Sequence, residues 1–211
     1  MDYMINRLYG LTTPDLANAC LQLGVPLRVA PYDLQAIGKP DRFAGRVLPV
    51  QFGGTIDVIL EACEASEPGD ILVVDDGGRT DRSCVGELAV REAVMAGLSG
   101  VVVWGCHHDT DKLHLLGIPL FSLGSNPCPP RNRDVRPNNA LTRAFVGECN
   151  LTNADVAMGD ADGVIFLPYD RLAELVTAAE AIHHTDLANV QAMRAGKTLY
   201  QQMVAGAAVG E

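Results

Sequence analysis

Short apolar runs alternate with amphipathic segments along much of this chain, and this alternation constrains its fold more than any other feature of the sequence. The segments PGDILVVDD, GVVVWG and IPLFSLG predict short buried strands. The segment GELAVREAVMAGLSG lies between the first two of these and predicts a helix that ends at Gly97. Buried strands that alternate with helices of about ten to fifteen residues are typical of α/β domains.

Further helices and strands are predicted on both sides of this region. Thr13, followed by a proline, predicts the N-cap of a helix that ends at Gly24. Near the C-terminus, DGVIFLPYDRLAELVTAAEAIHH predicts a strand followed by a helix, and a final helix is predicted over roughly Leu187–Met203. AGRVLPVQF predicts a strand, and TIDVILEACEAS predicts a helix with one apolar face formed by Ile56, Ile59, Leu60 and Cys63.

Length and composition favour one globular domain over residues 1–211, with a C-terminal helical segment at about 170–205. The net charge of −10 argues against a nucleic-acid partner, because no basic patch is apparent. We see no signal peptide and no membrane-spanning apolar run, so a cytoplasmic protein is expected. The six cysteines form no CxxC pair and are expected to be reduced.

The stretch GVVVWGCHHDTDKL passes directly from a buried strand into two histidines and two aspartates. This is either a solvated strand end or a metal-dependent site at the edge of a sheet. Asp109 follows a strand end, where α/β proteins place active-site residues, and a single carboxylate with open positions suits Mg²⁺. A zinc site is the weaker alternative, because His107 and His108 face opposite sides of a strand. His107 and His114 are predicted to be surface or partly packed residues.

A second candidate feature is the start of the predicted helix at Gly86 and Glu87, where free backbone N–H groups favour an anion. Other polar features are predicted to be structural: a turn capped by Asp160 and Asp162, and a helix end at His183–His184. The long loop at 124–140 is either a solvated loop or an anion-binding one, because it carries Arg131, Arg133 and Arg136.

Taken together, the motifs PGDILVVDDGG, GELAVREAVMAGLSGVVVWGCHHD, IPLFSLGSNP and DVAMGDADGVIFLP resemble the family of regulator of ribonuclease activity A (RraA)-like proteins. This family includes class II 4-hydroxy-4-methyl-2-oxoglutarate aldolases and 4-carboxy-4-hydroxy-2-oxoadipate aldolases. The similarity extends from about Thr12 to Tyr200. It implies an α-β-β-α sandwich of swivelling-domain type, assembled as a homotrimer or homohexamer with active sites between subunits.

The resemblance also implies roles for individual residues. Asp109 would hold Mg²⁺ or Mn²⁺, in part through water. The segment Gly86-Glu87-Leu88-Ala89 would present backbone N–H groups to a pyruvate-like carboxylate, and Glu87 would position water or move protons. Asp186 of a neighbouring subunit is the nearest candidate for the acidic residue that supports the metal waters.

One departure from the family pattern concerns the reaction. The aldolases carry an arginine immediately before the metal-binding aspartate, and this chain has His108. An arginine supplies a permanent charge and a two-pronged donor, whereas a histidine is charged only when protonated. Arg79 or Arg82 could restore the missing charge.

Three functions follow from these predictions. The first is a metal-dependent lyase that acts on a small anionic 2-oxo acid, by retro-aldol cleavage to pyruvate or by decarboxylation of an oxaloacetate-like acid. The second is a non-catalytic regulator that binds a ribonuclease or another protein. The third keeps the metal but uses His108 as the base of a hydration or hydrolysis.

Overall fold

A computed structural model of the chain describes residues 3–37, 42–130 and 136–207. In these residues the helices are α1 (Tyr3–Leu8), α2 (Thr13–Leu23), α3 (Asp57–Glu64), α4 (Glu87–Met95), α5 (Thr110–Leu113), α6 (Leu172–Arg194) and α7 (Leu199–Ala207). The strands are β1 (Arg28–Val29), β2 (Gln35–Ala36), β3 (Phe43–Gln51), β4 (Ile71–Val85), β5 (Gly100–His107), β6 (Leu120–Ser122), β7 (Ala144–Val146), β8 (Cys149–Leu151), β9 (Asp155–Asp160) and β10 (Gly163–Pro168).

Strand β3 joins a parallel and an antiparallel half of the sheet. Its residues 47–51 pair in parallel with β4, and its residues 43–46 pair antiparallel with β9. The parallel half continues through β5 and β6, and the antiparallel half continues through β10 and β1. The resulting strand order is β1-β10-β9-β3-β4-β5-β6-β2, with β7 and β8 as a separate ribbon.

The two halves stack face to face, and each carries helices on its outer face. Along β4, Leu72 and Val74 pack toward α3 and α4, while Ile71 and Val73 belong to the layer between the two halves. The antiparallel half follows the same alternation, with one face of β10 in the inner layer and the other against α1, α2 and α6. This arrangement confirms the predicted α-β-β-α sandwich.

Helix α2 begins one residue earlier than a Thr13 cap would place it. The side chain of Thr12 accepts a hydrogen bond from the backbone N–H of Asp15, and the Asp15 carboxylate accepts one from Thr12 in return. The hydroxyl of Thr13 donates instead to Asp160, at 2.7 Å. Gly24 ends the helix as predicted, in the left-handed conformation with φ 64°.

The predicted apolar face of α3 is half right. Ile59 and Cys63 are buried, but Ile56 and Leu60 are 39% and 38% exposed. Val58 is buried instead. The buried face of α3 is therefore rotated by about one residue from the predicted face.

The C-terminal helices differ from the prediction at two points. Helix α6 continues past His184 to Arg194, so His183 lies within the helix, where Nδ1 is 3.0 Å from Asp15 Oδ2. The predicted helix over 187–203 is therefore wrong: α6 ends before Gly196, which has φ 91°, and α7 starts separately. No described helix combines the length and the apolar character that a membrane span requires.

Candidate functional site at the ends of two parallel strands

The site is built where β4 and β5 end side by side. Their last register pair joins Val85 to His107, and the backbone N–H of His108 donates to the carbonyl of Val85 at 2.9 Å. Because both strands run in parallel, the residues that follow them meet at one edge of the sheet. Glu87 and Asp109, separated by 22 positions in sequence, are neighbours there.

The backbone at Asp109 is unusual. With φ 60° and ψ 35°, Asp109 is the one non-glycine residue with positive φ in the described part of the chain. Aspartate tolerates this left-handed conformation better than most residues, although it still costs energy. The turn directs the Asp109 carboxylate toward the start of α4, where Oδ2 lies 3.5 Å from the backbone nitrogen of Glu87.

Two carboxylates and two cations form a charged cluster in front of α4. The ammonium of Lys112 lies 3.0 Å from Glu87 Oε2 and 3.3 Å from Asp109 Oδ1, so it bridges the two carboxylates. Arg91, one helical turn after Glu87, pairs with Glu87 Oε1 at 2.8 Å. In a single chain the side chain of Asp109 is 34% exposed, so solvent reaches the outer side of the cluster.

These contacts set the ionisation of the cluster. Hydrogen bonds from Lys112 and then Arg91 lower the pKa of Glu87. Burial alone would raise the pKa of Asp109, but hydrogen bonds from Lys112 and from the Glu87 backbone lower it overall. The same two carboxylates, Glu87 first, raise the pKa of Lys112. The cluster therefore holds two negative and two positive side-chain charges at neutral pH.

His108 packs its imidazole ring over the start of α4. A Cβ atom at Gly86 would overlap Nε2 of this ring and lie only 2.5 Å from Cε1 and 2.6 Å from Cδ2. Glycine is therefore required at this position for the ring to lie there. The His108 Nε2 atom is 3.7 Å from Asp109 Oδ2, and Nδ1 is buried without a hydrogen-bond partner among the described residues.

His107 faces the opposite way and supports the turn from behind. Its Nδ1 is 2.8 Å from Ser122 Oγ and its Nε2 is 3.0 Å from Thr110 Oγ1, so both ring nitrogens are engaged. Burial lowers the pKa of His107, which favours the neutral ring. His107 is more deeply buried than the sequence predicted, whereas His114 is exposed as predicted.

The described residues contain no group of three or more His, Cys, Asp or Glu residues arranged to hold a metal ion. The carboxylates that face the site are those of Asp109 and Glu87, and the Lys112 ammonium lies between them. Hard carboxylate oxygens beside open coordination positions fit Mg²⁺ or Mn²⁺ better than zinc. The ammonium already occupies the position of a cation between these carboxylates.

Arg79 and Arg82 pair with Asp76, which lies outside the charged cluster. Arg82 donates two hydrogen bonds to the fully buried carboxylate of Asp76, from Nε at 3.1 Å and from Nη2 at 2.5 Å. An Arg79 nitrogen lies 3.4 Å from the same carboxylate, and its side chain is partly exposed. Arg82 therefore has a structural role, and a role for Arg79 in substrate binding stays a prediction.

The remaining candidate residues lie away from the cluster. Asp186 is exposed on α6, in the helical layer opposite α4, so it could approach Asp109 only from another subunit. Arg136 pairs with Glu61 at 2.6 Å. The predicted role of Asp160 is confirmed, since it accepts a hydrogen bond from the backbone of Asp162. Arg131 and Arg133 lie outside the described residues.

Lys112 and Arg91 were not predicted as residues of the site. Both are spaced for contact on a helix, Lys112 three residues after Asp109 and Arg91 four residues after Glu87. That spacing was visible in the sequence, but it is common on solvated helix faces. Only the juxtaposition of the two strand ends joins the two pairs into one cluster.

Comparisons with known proteins agree with this architecture. A family model described as RraA-like, Aldolase/RraA, matches residues 13–166. The protein named "Putative 4-hydroxy-4-methyl-2-oxoglutarate aldolase" from Pseudomonas putida strain GB-1 is 28% identical over 156 residues, which are 74% of this chain and 93% of that protein. Protein DlpA of Legionella pneumophila is 29% identical over 131 residues, which are 62% of this chain but only 21% of DlpA.

A solved structure shows the same fold. Streptomyces coelicolor RraAS2, described as an unusual member of the RNase ES inhibitor RraA protein family, aligns with a TM-score of 0.77. The alignment covers 92% of this chain and 98% of RraAS2, at 23% sequence identity. The range matched by the family model includes the whole charged cluster and ends before Asp186.

Proposed function

Because the chain belongs to the RraA-like (Aldolase/RraA) family, we propose that it is a divalent-cation-dependent lyase that cleaves a small 2-oxo acid. The observation that carries this proposal is the meeting of Asp109, Glu87 and the N-terminus of α4 at the ends of two parallel strands. The reaction would be retro-aldol cleavage of a 4-hydroxy-2-oxo acid to pyruvate, or decarboxylation of an oxaloacetate-like acid.

The substrate carboxylate would bind at the start of α4. The backbone N–H groups of Leu88 and Ala89 lie in the first turn, where no helical carbonyl is available to them, and the helix dipole favours an anion there. Asp109 would hold Mg²⁺ or Mn²⁺ beside this position. When bound, the cation would supply a Lewis acid for the negative charge that develops on the keto oxygen.

The side chains divide the proton chemistry between them. In retro-aldol cleavage, a base takes the proton of the C4 hydroxyl, the C3–C4 bond breaks, and C3 of the pyruvate fragment finally receives a proton. The lowered pKa of Glu87 favours a carboxylate that orients water rather than one that carries a proton. His108 is the candidate proton carrier, because its ring lies over the start of α4 with Nε2 3.7 Å from Asp109 Oδ2.

A neighbouring subunit would complete the site. One chain leaves the cluster open to solvent, and a reaction that develops charge benefits from exclusion of water. We therefore propose a homotrimer or homohexamer in which a second copy covers the cluster. In that assembly Asp186 of the second copy, and Arg79, are candidates for further contacts to the cation waters and the substrate.

The test is pyruvate release from a panel of 4-hydroxy-2-oxo acids and oxaloacetate, with Mg²⁺ or Mn²⁺ added to the purified protein. We expect Asp109→Asn to lose about 100-fold or more in kcat/KM. Asp111→Asn removes an exposed carboxylate two residues away and is the matched control, expected to stay within about threefold of the wild type. Absence of turnover, or full activity of Asp109→Asn, would contradict the proposal.

One observation favours the alternative of a non-catalytic regulator. Lys112 and Arg91 balance the charges of Glu87 and Asp109 within the chain itself. Capture of a ribonuclease by wild type and by Asp109→Asn alike, together with no turnover, would support that alternative.

A further inference from the structure

The cluster raises the question of which residue supplies the permanent positive charge that a 2-oxo acid requires. His108, next to Asp109, is a histidine and is charged only when protonated. Arg82 is committed to the buried carboxylate of Asp76. Arg91 pairs with Glu87 at 2.8 Å, whereas Lys112 lies 3.3 Å from the Asp109 carboxylate.

Lys112 is fixed in front of the site by its helix. Its backbone N–H donates to the carbonyl of Asp109 at 2.9 Å, and the next residue, Leu113, is buried against the α3–α4 layer. The side chain therefore projects from an anchored turn toward Glu87 Oε2 and Asp109 Oδ1. An ammonium group has three N–H donors, and these two carboxylates account for two of them.

We propose that Lys112 binds the substrate carboxylate and supplies the permanent positive charge of the site. The inference rests on the proposed function, because it concerns the same 2-oxo acid site. A divalent cation on Asp109 would compete with the ammonium for that carboxylate. Lys112, still paired with Glu87, would then have donors available for an anionic ligand beside the cation.

This role has a consequence that a merely structural role lacks. Removal of the ammonium should strengthen cation binding, because a competing positive charge leaves Asp109. The same change should weaken anion binding, because a charged donor is lost. We expect Lys112→Met to bind Mn²⁺ severalfold more tightly than wild type, and to bind oxalate on the Mn²⁺-loaded protein roughly 10- to 100-fold more weakly.

The experiment is titration calorimetry of the full chain with Mn²⁺ alone, and then of the Mn²⁺-loaded protein with oxalate and with pyruvate. Arg91→Met is the matched control, because Arg91 pairs with the same Glu87 and is 55% exposed, against 56% for Lys112. We expect it to change both affinities severalfold less than Lys112→Met does, because Arg91 pairs with Glu87 whereas Lys112 contacts both carboxylates. Lys112→Arg keeps the charge and should recover most of the anion affinity.

The outcomes separate this inference from the proposed function. If the wild type takes up Mn²⁺ and the anions but Lys112→Met binds them equally well, the role of Lys112 is wrong and the lyase proposal stands. Equal losses in Arg91→Met and Lys112→Met also overturn it, because the effect would then come from Glu87. If the wild type takes up no Mn²⁺, both proposals fail.

Discussion

Substitution of Gly86 by alanine tests whether the His108 ring lies over the start of α4. The backbone at Gly86 is extended, with φ −140°, so alanine can adopt it without strain. The new Cβ would meet the ring carbons at 2.5 and 2.6 Å, about 1 Å closer than an ordinary contact of about 3.5–4.0 Å allows. The ring must therefore move, and the substitution probes this one contact.

The expected cost follows from two contributions. Overpacking costs about 1–3 kcal/mol, and we expect about 1–2 here because the ring is partly exposed and can swing outward. Alanine is also a poorer N-cap than glycine, by about 0.5 kcal/mol. Gly86→Ala should therefore lower the free energy of unfolding by about 2 kcal/mol in the wild type, and by only about 0.5 kcal/mol when His108 is already alanine.

The assay is urea unfolding of wild type, both single variants and the double variant. A coupling energy of about 1–2 kcal/mol between the two positions is expected, since the contact exists only when both side chains are present. If Gly86→Ala costs the same in both backgrounds, the ring does not lie over Gly86, and the assignment of His108 to the site loses its geometric basis.

Three further predictions concern buried groups. Burial raises the pKa of Cys63 to about 11, so this thiol should react with iodoacetamide far more slowly at pH 8 than an unfolded-state control, as measured by mass spectrometry. Burial lowers the pKa of His107 in the folded protein, so the free energy of unfolding should decrease as the pH falls below about 6.5 and the unfolded chain takes up a proton. Urea unfolding between pH 7.5 and 5.5 should show a smaller decrease for His107→Gln than for the wild type. Asp76→Asn removes the charge of the buried carboxylate that pairs with Arg82 and should cost about 3 kcal/mol, whereas Glu61→Gln, in an exposed pair, should cost much less by the same assay.

The alternation of strands and helices was predictable because it depends on strong local patterns, whereas the α-β-β-α sandwich was implied by the family resemblance. The run VVVW predicts a buried strand, and a helix between two strands of one sheet favours the parallel pairing that β4 and β5 adopt. That inference alone brings Glu87 close to Asp109. The helix limits were less predictable, because Thr12 and Thr13 are both good caps, and only the contact of Thr13 with Asp160 decides between them.

The charged cluster was only partly predictable for a different reason. Asp109 stands out in sequence because it follows an apolar strand directly, but Lys112 is an ordinary lysine on a short polar helix. Its role depends on Glu87, 25 positions earlier in the numbering, and on a left-handed turn at Asp109. Neither a long-range pairing of exposed side chains nor a single unusual φ angle has a local signal in the sequence.

The charge balance of the cluster bears on the ligands that it can accept. Glu87 and Asp109 carry two negative charges, and Lys112 and Arg91 carry two positive ones. A divalent cation alone leaves two positive charges in excess, and a dianionic 2-oxo acid alone leaves two negative ones. Together they restore neutrality, so each should raise the affinity for the other. An arginine in place of His108 would add one more positive charge and so tolerate a third carboxylate. Histidine at this position supplies no permanent charge, so the balance favours dicarboxylic over tricarboxylic 2-oxo acids.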